Sequence, residues 1–175
     1  MKLSIYYVLI FIFFSFPNNQ EKYPNPPKKD NTLFYIQHSD NHNTFVYEAK
    51  FSGSNLDSKN PVNTYRIVYT EGGIIKPLTT IQKKMAYGID TKMKSLNVFE
   101  MYLVVAKDVK LFLFLDEASK PKVWTEINNK KIILNRIFVQ IKKGNNILKP
   151  DVDHVVFEGN DFISGNKIKL VKNID

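Results

Sequence analysis

The stretch TFVYEAKF, residues 44–51, puts Phe45, Tyr47, Ala49 and Phe51 on one side of an extended chain, and Thr44, Val46, Glu48 and Lys50 on the other. Side chains of a strand alternate between two faces, so this period of two describes a half-buried β-strand. Just upstream, residues 33–39 have the same character. Asp40-Asn41-His42-Asn43 between the two runs is turn chemistry, which predicts a hairpin. Downstream, Tyr65, Ile67 and Tyr69 alternate with Arg66, Val68 and Thr70 in a third strand.

Six more runs, 99–105, 110–115, 123–128, 132–142, 152–158 and 167–172, read as strands. Asn128-Asn129-Lys130-Lys131 suggests a second hairpin, and Gly165-Asn166 a turn before the last strand. The glycines and prolines after the first thirty residues, Gly159 included, fall between these runs or at their ends, which makes the strand assignments mutually consistent. One stretch differs. Over residues 77–87, Leu78, Ile81, Met85 and Ala86 recur at helical spacing, with Thr79 or Thr80 as a cap and Gly88 as a stop. The expectation is two or three turns of helix against the sheet, a further strand being the alternative. Together these readings give an all-β, mostly antiparallel, single-domain β-sandwich or barrel of about nine strands with one short helix.

The ends of the chain are organised differently. Lys2 is followed by an apolar and aromatic run over residues 3–16, the layout of a secretory signal peptide. The run is shorter than the ~20 apolar residues a spanning helix takes. No small-x-small site follows it, so both a cleaved leader (residues 1–20) and an uncleaved anchor stay open. Residues 21–31 carry Pro24, Pro26 and Pro27 among Asn and Lys, and read as an extended linker before a domain at 32–175. The expected location is the periplasm or the exterior, with membrane association only through the leader.

Composition narrows the chemistry. Lys and Arg number 25 against 17 Asp and Glu, for a net charge of +8, and no cysteine is present. The missing thiols exclude a disulfide scaffold, thiolate catalysis and a Cys-based zinc site. The excess charge suits an anionic partner, although the lysines are scattered in ones and twos, and export argues against nucleic acid. None of the common nucleotide-binding, metalloprotease, serine-hydrolase or calcium-loop motifs occurs.

Several residues merit attention. His38 and His42 flank Asp40 but lack third and fourth ligands nearby, so neither a metal nor a cofactor is expected. Asp153 beside His154 offers an imidazole and a carboxylate without an identifiable nucleophile, and Glu48 with Glu100 is a carboxylate pair that only the fold can place. Arg66, one of two arginines, lies between Tyr65 and Ile67, where a fixed guanidinium could hold a carboxylate or phosphate. Tyr65, Arg66 and Tyr87 form the expected ligand-binding set. No catalytic residue is assigned.

NTLFYIQHSDNHNTFVYEAKF (31–51), LDSKNPVNTYRIVYTEGG (56–73), MAYGI (85–89) and LKPDVDHVVFEGNDFISGN (148–166) together resemble a family of exported proteins of Bacteroidetes type, domain of unknown function 4833. The resemblance covers nearly all of the chain after the leader. It implies a signal-bearing, single-domain envelope or secreted protein, and supplies no activity, ligand or catalytic residue. Three functions follow in order of expectation. The first is a non-enzymatic domain that binds a lipid or another small amphipathic or apolar ligand in a sheet-lined cavity. The second is a module that binds another envelope protein or a polymer through an exposed edge or basic face. The third is an unrecognised hydrolase using Glu48, Glu100 or Asp153 with His154.

Overall fold

The computed structural model describes residues 24–142 and 151–174; the expected leader at 1–20 lies outside the described residues. Thirteen strands follow in order: β1 (Thr32–His38), β2 (Asn41–Ala49), β3 (Phe51–Ser52), β4 (Asn55–Leu56), β5 (Val62–Val68), β6 (Ile74–Pro77), β7 (Ile89–Ser95), β8 (Val98–Leu103), β9 (Ala106–Leu115), β10 (Pro121–Ile127), β11 (Lys130–Ile141), β12 (Val152–Asp161) and β13 (Lys167–Asn173). A 3-10 turn at Tyr69–Glu71 ends the run read as the third strand, and a second helical segment, α1 (Thr80–Gln82), runs directly into a π turn at Lys83–Tyr87. Apart from the small β3–β4 ribbon, the strands form one sheet in the order β6-β5-β2-β1-β11-β10-β9-β8-β7, with β12 and then β13 continuing from β11. Every pair is antiparallel except β1 with β11, so the sheet is mixed. In place of the expected sandwich or barrel stands this single curled sheet, a half-barrel whose end strands β6 and β7, among the described residues, pair only with β5 and β8.

The curl originates in β11. Residues Lys130 to Ile133 pair with β10, and Arg136 to Val139 pair with β1, so one edge of one strand serves two neighbours in succession. Strand β12 follows the opposite edge throughout, from Ile132↔Asp161 to Ile141↔Val152. Between the two halves the register slips: Leu134 faces Gly159 and Arg136 faces Glu158, leaving Asn135 as a bulge. A bulge bends its strand and increases the local twist, which here separates two arms of sheet. The bend draws the backbones together, since a Cβ at position 159 would stand 1.9 Å from Ile133 O. Strand β12 therefore runs through Gly159, which sequence reading places at a strand end.

Past the bend, the β12–β13 hairpin folds back over the arm formed by β7 to β10. Asn128 Nδ2 donates to Val171 O at 3.1 Å, and Lys172 meets Asp108 on β9. On the open side, the link from β6 to β7 joins the two free ends of the curl. Leu78 is buried there and Tyr87 packs against the core. Gly88 ends the π turn against Lys83 O, where an added Cβ would be 1.8 Å away. Thr79 and Gln82 make a reciprocal capping box at 3.2 and 3.0 Å. The helix itself departs from expectation, because Ile81 and Met85 are 71% and 72% exposed. Leu78 precedes the cap, so it lies outside the helical repeat and the apparent 78–81–85 stripe has no common face.

The inside of the curl is solid. Phe34, Tyr47, Phe99, Met101, Leu111 and Leu113 are at most 1% exposed, and Phe34 stacks on Tyr47 with ring centroids 4.4 Å apart. Strand β2 is buried on both faces over residues 44–49 rather than on one. Its outer residue Val46 packs with Tyr65, Ile67 and Tyr35, while Phe51 is 40% exposed in the separate ribbon. Both predicted hairpins form. The Asn128-Asn129 turn has both residues at positive φ, 51° and 61°, as a tight two-residue turn requires.

Replacing Gly159 by Ala forces Ile133 and Gly159 backbones apart at the bend. Urea denaturation is expected to show a loss of about 1–3 kcal/mol; a change below about 0.5 kcal/mol would mean that the bend has slack.

Candidate functional site

Residues 24–31 are not a free spacer. Three prolines deny this segment a strand ladder, yet it is bonded across the outer faces of β1, β2 and β5. Gln37 Nε2 donates to Pro24 O at 2.8 Å, Tyr35 OH donates to Asn25 Oδ1 at 3.1 Å, and Ala49 N donates to Asn31 O at 2.8 Å. Lys29 Nζ lies 2.8 Å from the buried Glu48 carboxylate, which also accepts from Tyr65 OH at 2.8 Å. This strap explains why the outer side of β2 is dry.

Beside the strap, the second arginine of the chain is fixed in place. Gln37, fully buried, uses its amide three ways: Nε2 donates to Pro24 O and to Thr44 Oγ1, and Oε1 accepts from Arg136 Nε, each at 2.8 Å. Arg136 Nη1 reaches Glu158 Oε2 at 3.3 Å, and its guanidinium lies over the Phe138 ring, 4.7 Å from the centroid. Glu158 Oε1 accepts from Lys169 Nζ at 2.8 Å. Burial pushes the Glu158 carboxyl up, but Lys169 and Arg136 outweigh it and hold the group below the ordinary carboxylate range.

Two open clefts meet at this network. One, of about 280 Å³, is lined by Tyr35, Asn135, Arg136, Glu158, Lys167 and Lys169 among others. The other, of about 630 Å³, lies between the β10–β11 and β12–β13 hairpins and is lined by Glu126, Asn129, Lys130, Lys131, Asp161 and Ile163, sharing Ile168 and Lys169 with the first. Cations outnumber anions along the joint groove. Glu158 is already paired, and Asp161 accepts from the amides of Ile163 and Ser164 at 3.1 and 2.7 Å. Lys130, Lys131 and Lys167 then stand against Glu126 and Asp161, so the groove as a whole keeps a net excess of two positive charges.

The expected binding set is split. Tyr65 and Arg66 are adjacent on β5 and face opposite sides, Tyr65 opposite Val46 on the outer face and Arg66 opposite Phe45 on the inner. Arg66 Nε is buried without a hydrogen-bond partner among the described residues. Tyr87 is on the inner side as well, stacked on Phe45 with centroids 3.4 Å apart, its OH 3.1 Å from His38 Nε2 and its carbonyl accepting from Tyr47 OH at 2.8 Å. Burial raises the Tyr87 hydroxyl to about 12 and lowers the His38 imidazole. His154 Nδ1 pairs with its neighbour Asp153 at 2.8 Å. Glu48 sits under the strap, whereas Glu100 is on β8 with Tyr102 and Lys94, separated from β2 by four intervening strands in the sheet order. No cluster of three His, Asp or Glu side chains able to hold a metal stands among the described residues. The guanidinium held by side-chain partners is that of Arg136, which sequence reading did not single out. The available signal was Gln37, an amide in the apolar run LFYIQH, whose burial demands polar partners.

Gln37→Leu removes the acceptor of Arg136 Nε and the anchor of Pro24. A destabilisation of about 1–3 kcal/mol is expected, together with new trypsin cleavage at Lys28 or Lys29; a strap that stays protected would show that its other bonds suffice. Glu158 adds a pH effect. Its depressed pKa means a contribution fully present above the unfolded value of 4.5 and lost as pH falls through the lower folded value. Between about pH 5 and 3 the stability of Glu158→Gln should therefore fall less steeply than that of the parent, and parallel curves would remove the proposed coupling.

Comparison with curated proteins and with solved structures finds no match. A family model, Domain of unknown function (DUF4833), matches residues 34–170, a span that runs from β1 into β13 and contains Gln37, Arg136, Glu158 and Lys169. With most of its length covered by that match, the chain belongs to the DUF4833 family.

Proposed function

We propose that the chain is an exported binding module that takes an anionic partner along the basic groove formed by Arg136 and the lysines of the β10–β11 and β12–β13 hairpins. The observation that carries this reading is the fixed guanidinium. Arg136 is held by Gln37, Glu158 and the Phe138 ring before any partner arrives, so little conformational entropy remains to be lost on binding. Lys130, Lys131 and Lys167 extend the positive surface from it. Export rests on the leader read from the sequence, and it removes nucleic acid as the natural polyanion. An acidic envelope polymer, a lipid surface or an acidic protein remains. A small apolar ligand inside the curl would have to displace side chains that are at most 1% exposed, which favours the outer groove over an interior cavity.

The test is affinity for a soluble polyanion such as dextran sulfate. Neutralising Lys130, Lys131 and Lys167 together to Gln should weaken binding about tenfold, at roughly 0.5 kcal/mol per exposed charge. The same charge change at Lys50, Lys92 and Lys107, outside the groove, should leave binding nearly intact. Equal losses in the two variants would reduce the effect to net charge and end the reading.

A further inference from the structure

Ile163 is 95% exposed, the most exposed of the large apolar side chains in the described chain, and its neighbour Phe162 is 42% exposed. Both sit at the tip of the β12–β13 hairpin. An aliphatic side chain held this far into water is costly, and a flexible loop could fold it away. This loop cannot. Asp161 Oδ1 accepts from Ile163 N at 3.1 Å, from Ser164 N at 2.7 Å and from Ser164 Oγ at 2.9 Å. Gly165, at φ 71°, donates its N–H to Asp161 O at 3.0 Å, and Phe162 N donates to Lys131 O at 3.1 Å. Asp161 N and Asn166 N are bonded too, to Asn166 O and Ser164 Oγ.

Every amide from Asp161 to Asn166 is thus satisfied within the protein. That matters because unpaired backbone donors are what normally bars loops from an apolar medium. This tip carries its apolar residues outward on a backbone whose donors need no water. Lys130, Lys131 and Lys169 line the same cleft as Ile163, with Lys169 paired to Glu158 and the carboxylates of Glu126 and Asp161 in the same lining, and Lys167 follows the turn opposite Asn160. Trp124 completes the surface. Its ring stacks on Phe112 at 4.3 Å, has Phe162 edge-on at 5.7 Å and carries Lys131 Nζ 5.0 Å from its centroid. An apolar point, an indole and a collar of lysines match the layered chemistry of an anionic bilayer: acyl chains, interface and acidic headgroups.

We propose that the β12–β13 tip docks on an anionic membrane surface, with Ile163 and Phe162 entering the headgroup–acyl boundary and the surrounding lysines meeting acidic headgroups. This inference rests on the groove reading above and names its partner. It adds a membrane contact in the folded domain to the one expected of the leader.

The chain supplies its own reporter, since Trp124 is its single tryptophan and touches the tip. The full-length protein is mixed with phosphatidylcholine vesicles, with or without phosphatidylglycerol, carrying brominated acyl chains. Trp124 emission should shift to the blue and be quenched by bromine only in the anionic vesicles. Attachment through the leader alone would leave Trp124 unquenched. Ile163→Asp and Ile163→Ser alter an exposed side chain whose backbone bonds remain, so thermal stability should hold while vesicle affinity at the tip falls at least about tenfold. Absent quenching, or quenching that survives both substitutions, overturns the proposal. If dextran sulfate still binds in a groove-dependent manner in that case, the groove reading stands without the membrane; if it does not, both fall together.

Discussion

One strand with two successive partners on the same edge organises this molecule. β11 can pair first with β10 and then with β1 only because it bends at Asn135, and the bend exists only because Gly159 lets the backbones close to a distance no side chain allows. Two antiparallel meanders that would otherwise lie in one flat sheet are thereby set at an angle and share a core. Phe34, Ile36, Phe45 and Tyr47 from one arm meet Phe99, Met101, Leu111 and Leu113 from the other. The same bend brings Arg136 and Glu158 together on the outer face and swings the β12–β13 hairpin beyond the edge of the sheet. Fold and candidate site thus share a single geometric cause.

The period of two exposed most of the strands. All nine segments read from the sequence are strands, because aromatic and β-branched residues alternate cleanly in them. The four missed strands carry a weaker signal for physical reasons. β3 and β4 have two residues each, and β6 ends in a proline at the sheet edge. β7, IDTKMKS, alternates correctly but does so with Lys and Asp on its outer side, as suits an edge strand that must resist pairing with another chain. The partner exchange in β11 was not legible, since pairing between residues about a hundred apart leaves no local trace.

The site was less legible than the fold. Alternation alone places Tyr65 and Arg66 of the expected set on opposite faces of β5. Arg136 gave no local sign, because its partners Gln37 and Glu158 lie on other strands. Proline content suggested an extended linker at 21–31, but proline removes backbone donors without removing carbonyls. Pro24 O is an acceptor that a buried amide can use, and Gln37 uses it. Composition describes what a segment cannot donate; it is silent on what the rest of the protein will donate to it.

The strap also has a mechanical meaning. Strand β1 is interior to the sheet, held by β2 on one side and β11 on the other. Tension arriving from residues ahead of Pro24 does not reach that strand directly. It is borne first by the Gln37–Pro24 hydrogen bond, then by Tyr35–Asn25, then by the Lys29–Glu48 ion pair, each of which must open in turn. The first described residues are thus held by a row of small, reversible fasteners, and a pull on the chain is dissipated at the surface before the central strand feels it.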